Sequence, residues 1–250
     1  MSSDVAIFRK TFVSGVLSLA ALAAVIGSLA YVAVTLLHPG GVGNDHPAIF
    51  RHYATSQTWV AIHLAQLAAI VAGLFGIAGL AASMLRLQSK GRVLALLALG
   101  LALAGIPIAA VLQAADGIAL KRAVDVWVAD GGIVGSASFA AARAIRWFEE
   151  GVNSILGLTM GWTVILAGAA MARGAVYPRW LGWIGVVIGI GVLIGAILVA
   201  ETGFSPTAQV WVLARNPAFW IWTAVAGVLM WRRVRLLDAA APTSPAGSDQ

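Results

Sequence analysis

There is no cysteine in this chain. That excludes disulfides, thiolate metal sites and a cysteine nucleophile. Charge is scarce as well: Asp, Glu, Lys and Arg make up 10% of the residues, against about 25% in an ordinary soluble domain. The motifs that announce common chemistries are missing. No GxSxG elbow, no phosphate-cradling glycine loop, and no HxH or HxxxH pair occurs. A cleavable leader is not expected at the start, because the apolar run after Arg9 and Lys10 is too long and lacks a convincing small-residue cleavage site.

What is present is apolar: 60% of 250 residues are hydrophobic and the mean hydropathy is +0.91. Lipid is the natural solvent for such a chain. The net charge of +6 does not point to nucleic acid, because the basic residues sit at the ends of apolar runs, where membrane topology places them. The expected fold is all-α, a polytopic membrane protein with six transmembrane helices over residues 11–37, 56–85, 93–115, 151–172, 180–200 and 218–231. The fourth could begin its helical turn as early as Ser138. His38-Pro39-Gly40-Gly41 ends the first span, and the segment from there to Tyr53 reads as a polar loop rich in breakers. Pro107 is expected to kink the third span, which membrane helices tolerate.

Asp116 to Glu150 is too polar to span. It reads as a helical cap between helices 3 and 4, lying at the interface or over the bundle. Glu201 to Pro217 reads as a loop, and residues 237–250 have the composition of a disordered tail. Arg9, Lys10, Arg86, Lys90, Arg92, Arg173, Arg179, Arg232, Arg233 and Arg235 share one side. Arg51, Lys121, Arg122, Arg143, Arg146 and Arg215 share the other. The positive-inside rule then places both termini in the cytoplasm and the cap outside. Gly157/Gly161, Gly185/Gly189 and Gly191/Gly195 are small-xxx-small pairs, suited to packing within the bundle. A homodimer seam or partner subunit is their other use.

Polar residues enter the outer half of the membrane at three places. These are His63 and Gln66 on helix 2, Gln113 and Asp116 at the end of helix 3, and Arg146, Glu149, Glu150 and Asn153 at the start of helix 4. Spacings of three, four and seven put each set on one face. Such groups are expensive in lipid unless they pair or line a wet cavity. The expected site is an outward-facing pocket bounded by His63, Gln66, Gln113, Asp116, Arg146, Glu150 and Asn153, with Arg146–Glu150 as an i, i+4 pair. His38, His46, His52 and His63 are candidate metal ligands by residue type alone. Haem is the weaker alternative, since only His63 is placed for an axial role. The depths of helices 1, 5 and 6 show no charge, which disfavours a proton-coupled pump.

Arg146-Trp-Phe-Glu149-Glu-Gly151 resembles the Arg-x-x-Glu-Gly signature of DUF4386, a family of bacterial integral membrane proteins. Tyr177-Pro178-Arg179-Trp180-Leu181-Gly182-Trp183 is similar to that family's Pro-Arg-Trp-Leu turn. The resemblance covers the second half of the chain and implies a multi-span membrane protein with no assigned chemistry. Three functions follow as expectations. The first is a non-enzymatic protein that binds a small ligand, lipid or partner through the pocket. The second is a membrane enzyme or redox or metal protein using the outer His, Asp and Glu residues. The third is a small transporter.

Overall fold

A computed structural model describes residues 3–41, 43–87, 90–130 and 132–239, with side chains from Val13 to Leu236. Every regular element among these is helical. In order they are α1 (Ser3–Thr35), α2 (His46–Thr55), α3 (Trp59–Leu87), α4 (Arg92–Gln113), a π-helical turn (Ala114–Leu120), α5 (Lys121–Ala129), α6 (Gly132–Arg173), α7 (Arg179–Thr202) and α8 (Pro206–Ala239). Six helices are long and apolar enough to cross a membrane, as expected of a multi-pass membrane protein.

The third, fourth and sixth spans overrun their expected bounds at the cap end, and the overruns of the third and fourth build the cap; α1 and α8 also overrun at the opposite end. α6 has 42 residues, about 63 Å at 1.5 Å per residue, twice the roughly 30 Å of hydrocarbon. Its early turns therefore project beyond the lipid. The third span does not stop at residue 115 either. It continues through the π turn into α5, which packs on α6 and α2. Ile49, Phe50, Tyr53, Trp59, Leu120, Val124 and Ala142 form a second small core there, apart from the main core between the spans.

Two stretches read as loops are helices. α2 lies inside the expected loop, because Asp45 caps it by accepting from the Ala48 amide and Pro47 sits in its first turn. Its Ile49, Phe50 and Tyr53 then have a face to bury. α8 begins at Pro206, not 218, and passes through Pro217. Ser205 accepts from the Ala208 amide at 3.3 Å, and Pro206 occupies the first helical position. Gln209 donates to the Gly41 carbonyl, fixing these polar turns against the loop after α1. α8 also runs to Ala239, into the segment expected as a tail; residues 240–250 lie outside the described residues.

Close helix contacts use glycine where the sequence placed it, with one exception. A Cβ on Gly161 would lie 3.0 Å from the Gly189 carbonyl. One on Gly76 would lie 2.6 Å from the Ala24 amide nitrogen, so α6–α7 and α1–α3 meet backbone to backbone. Gly185 receives the Trp222 ring, whose Nε1 donates to the Leu181 carbonyl at 2.9 Å. Gly191 faces open space and takes no part in this packing. At the end opposite the cap, Tyr177 and Ser83 hydroxyls meet at 2.6 Å. Gly91 turns from α3 to α4 with φ of 79°, the left-handed region that glycine adopts freely.

Candidate functional site

Beneath the cap the first polar group forms around Trp59 and His63 on α3. His63 is 1% exposed. Its Nδ1 lies 2.7 Å from the Trp59 carbonyl, and its Nε2 lies 2.9 Å from Asp116 Oδ2. Asp116 comes from the π turn, which a nearby glycine lets approach: a Cβ on Gly117 would lie 2.9 Å from His63 Cγ. His38, just past α1, brings its Nε2 to 3.3 Å from His63 Nε2, and its Nδ1 lies 2.9 Å from the Pro39 carbonyl. Burial pushes the His38 imidazole below its ordinary pKa, against the opposing pull of Asp116. The Trp59 ring packs on both imidazoles, with centroids 4.4 and 5.0 Å away, and its Nε1 donates to the Asp116 carbonyl.

Arg146, 5% exposed, pairs with Glu149, 3% exposed. Its Nη1 donates to both carboxylate oxygens at 3.0 and 2.9 Å. The guanidinium also lies over the Phe204 ring at 4.3 Å. The expected Arg146–Glu150 pair is therefore corrected to i, i+3. Spacing permits either partner, and burial selects Glu149, whose turn faces inward. Glu150 accepts instead from the Phe204 amide at 3.3 Å, against the α7–α8 turn.

Arg215 is the larger correction. It was expected in an outer loop, yet it sits within α8 and is 7% exposed. That is roughly 14 Å along the helix from Pro206 at 1.5 Å per residue. Its Nη1 donates to the Val192 carbonyl at 2.9 Å, and its Nη2 reaches Asn153 Oδ1 at 3.5 Å. Gly157 and Gly195 make room for it, since a Cβ on Gly195 would lie 2.8 Å from Arg215 Cδ. No carboxylate lies within salt-bridge distance of it among the described residues. Residues 218–231 themselves hold no charge; Arg215 enters the helix because α8 starts twelve residues before the expected span.

These groups surround a cavity of about 340 Å³ under the Pro39–Gly41 loop. Of the residues expected in a pocket, Gln66, Gln113, Asp116, Arg146 and Asn153 line it; His63 stands behind Asp116, and Glu150 is not among the lining residues. His38, Glu149, Arg215 and Asn216 line it without having been expected there. Tyr31, Ile70, Leu156, Met160 and Trp220 supply an apolar floor. Gln113 Oε1, Asp116 Oδ1, Arg146 Nε and Arg215 Nε are buried with no hydrogen-bond partner among the described residues. Of the four histidines considered as ligands, His38 and His63 converge with Asp116. His46 stacks on Phe50, and His52 is exposed.

Chemically, the site offers a buried cation beside two amides over an apolar floor, and two imidazoles beside a carboxylate. Compared with family models, curated proteins and solved structures, the chain gives no match in any of the three.

Proposed function

We propose that this protein binds a small amphipathic anion, such as a medium-chain carboxylate, in the cavity beneath its cap, with Arg215 holding the charged end. The role is binding rather than catalysis. The observation that carries the reading is Arg215 itself. A guanidinium buried among membrane helices is costly without a counter-charge, and intramembrane ionisable residues by default mark ligand or ion paths. Arg146 already has Glu149, and Asp116 already faces His63. Among the described residues Arg215 has only a carbonyl and Asn153 as hydrogen-bond partners, with Asn216 beside it on the cavity wall. An arriving carboxylate would supply the missing charge, and its alkyl part would cover Ile70, Leu156, Met160 and Trp220.

In the same reading both termini lie in the cytoplasm of a bacterial plasma membrane, and the cap and cavity face outward, supported by the basic residues at the opposite end. The test is a fluorescence titration of purified protein in nanodiscs, because Trp220 lines the cavity and packs on Tyr31 at 4.6 Å. Octanoate is expected to change the emission saturably and octylamine is not. Equal responses to the two would overturn the reading.

A further inference from the structure

We propose that His38, His63 and Asp116 form a binding site for one divalent first-row transition ion, of which Zn2+ is the probe, with a further position open to the cavity. The proposal starts from where the protons must be. A backbone carbonyl only accepts, so His63 Nδ1 is protonated toward Trp59 and His38 Nδ1 toward Pro39. In the neutral rings both Nε2 atoms then carry lone pairs. Those lone pairs face each other at 3.3 Å, and His63 Nε2 faces a carboxylate oxygen at 2.9 Å. Three acceptors aimed at one another need a cation between them.

The geometry suits a metal. Zn–N bonds of about 2.0–2.1 Å at a tetrahedral angle put two ligand nitrogens about 3.3 Å apart, which is the separation of the two Nε2 atoms. The three ligand atoms all lie within 4.8 Å of one another. The His63–Asp116 contact need open only by a few tenths of an ångström to match. Each histidine already makes the outer hydrogen bond to a carbonyl that fixes the tautomer of a metal-bound imidazole. Asp116 Oδ1 is buried without a partner, which leaves it free to turn toward an ion or hold a bound water. The carboxylate is presented by a π-helical turn, a distortion frequent at functional sites. His38 and Asp116 both line the cavity, so the remaining coordination position opens into it. Two imidazoles and one carboxylate favour Zn2+ or Fe2+ over Ca2+ or Mg2+. The competing occupant is a single proton, making His63 an imidazolium paired with Asp116.

The experiment strips the full-length protein with a chelator, offers Zn2+, removes excess by gel filtration and measures bound metal. Wild type and His52→Ala are expected to retain one ion per chain. His38→Ala and Asp116→Asn are expected to bind at least tenfold more weakly. Co2+ should give visible ligand-field bands in wild type that these two variants lose. Failure of wild type to retain Zn2+, or equal uptake by His38→Ala, overturns the site and leaves the proton as its occupant. If the variants do not fold, diethyl pyrocarbonate footprinting of wild type decides. Zn2+ must protect His38 and leave His52 reactive, and unchanged His38 reactivity overturns the site. Arg215→Gln should keep the ion, so the metal site and the anion cavity stand or fall separately.

Discussion

Replacing Glu149 by Gln keeps the side chain's shape and removes its charge. Arg146 would then be 5% exposed with no anion on its Nη1, and its Nε has no partner to begin with. Leaving one member of a buried ion pair uncompensated costs about 3–5 kcal/mol. At about 2–4 °C per kcal/mol for a chain of this size, the midpoint should fall by roughly 6–20 °C. Replacing both members by apolar residues behaves differently, because desolvating the pair offsets most of its attraction. Arg146→Met with Glu149→Leu should be near neutral, or stabilising by about 1–4 kcal/mol. Thermal unfolding of detergent-solubilised protein, followed by size-exclusion recovery, measures both variants against the wild type. If the double variant is as unstable as Glu149→Gln, the pair contributes through shape, not charge, and the reasoning fails.

At the α1–α3 crossing, Gly76→Val should cost at least about 1–3 kcal/mol, because its Cβ meets Ala24 backbone; Gly191→Val, into open space, should change little in the same melt. Ser83→Ala should cost about 1–3 kcal/mol by orphaning the buried Tyr177 hydroxyl, more than Tyr177→Phe. Burial raises the Tyr177 phenol above its usual pKa of 10.0. Below pH 10 it is neutral in both folded and unfolded chains. Above that the unfolded chain ionises first, so stability falls as pH rises, and Tyr177→Phe should flatten that alkaline loss in a pH-dependent melt. Since the chain has no cysteine, Ser136→Cys on the exposed face of α6 reports topology cleanly. An impermeant maleimide should label it in intact cells, and Arg173→Cys only after permeabilisation; the reverse pattern inverts the orientation.

The spans were legible because hydropathy and the charges flanking it are local. Gln66, Gln113, Asp116, Arg146 and Asn153 could be recognised as polar residues on helix faces for the same reason. Their convergence was not legible, since it depends on how α3, α4 and α6 pack, through contacts such as Trp59 Nε1 to the Asp116 carbonyl, distant in sequence. Arg146 choosing Glu149 over Glu150 is a question of helix phase that spacing leaves open. Pro217 has the local signature of a helix boundary, which puts Arg215 in a loop, whereas α8 runs through it. Ser205-Pro206, a cap followed by a proline at the first helical position, was the local signal for the true start. Asp45 before His46-Pro47 was the equivalent signal for α2. His38 looked like a solvated loop residue, and nothing near it in sequence points to His63.

The most direct test of the central claim is calorimetric titration of octanoate into wild type and Arg215→Gln side by side in nanodiscs. Charge-assisted hydrogen bonds of about 1.5–3 kcal/mol predict saturable binding to wild type and affinity roughly ten- to a hundredfold weaker in the variant. Equal isotherms for the two proteins would contradict it and leave Arg215 a structural residue.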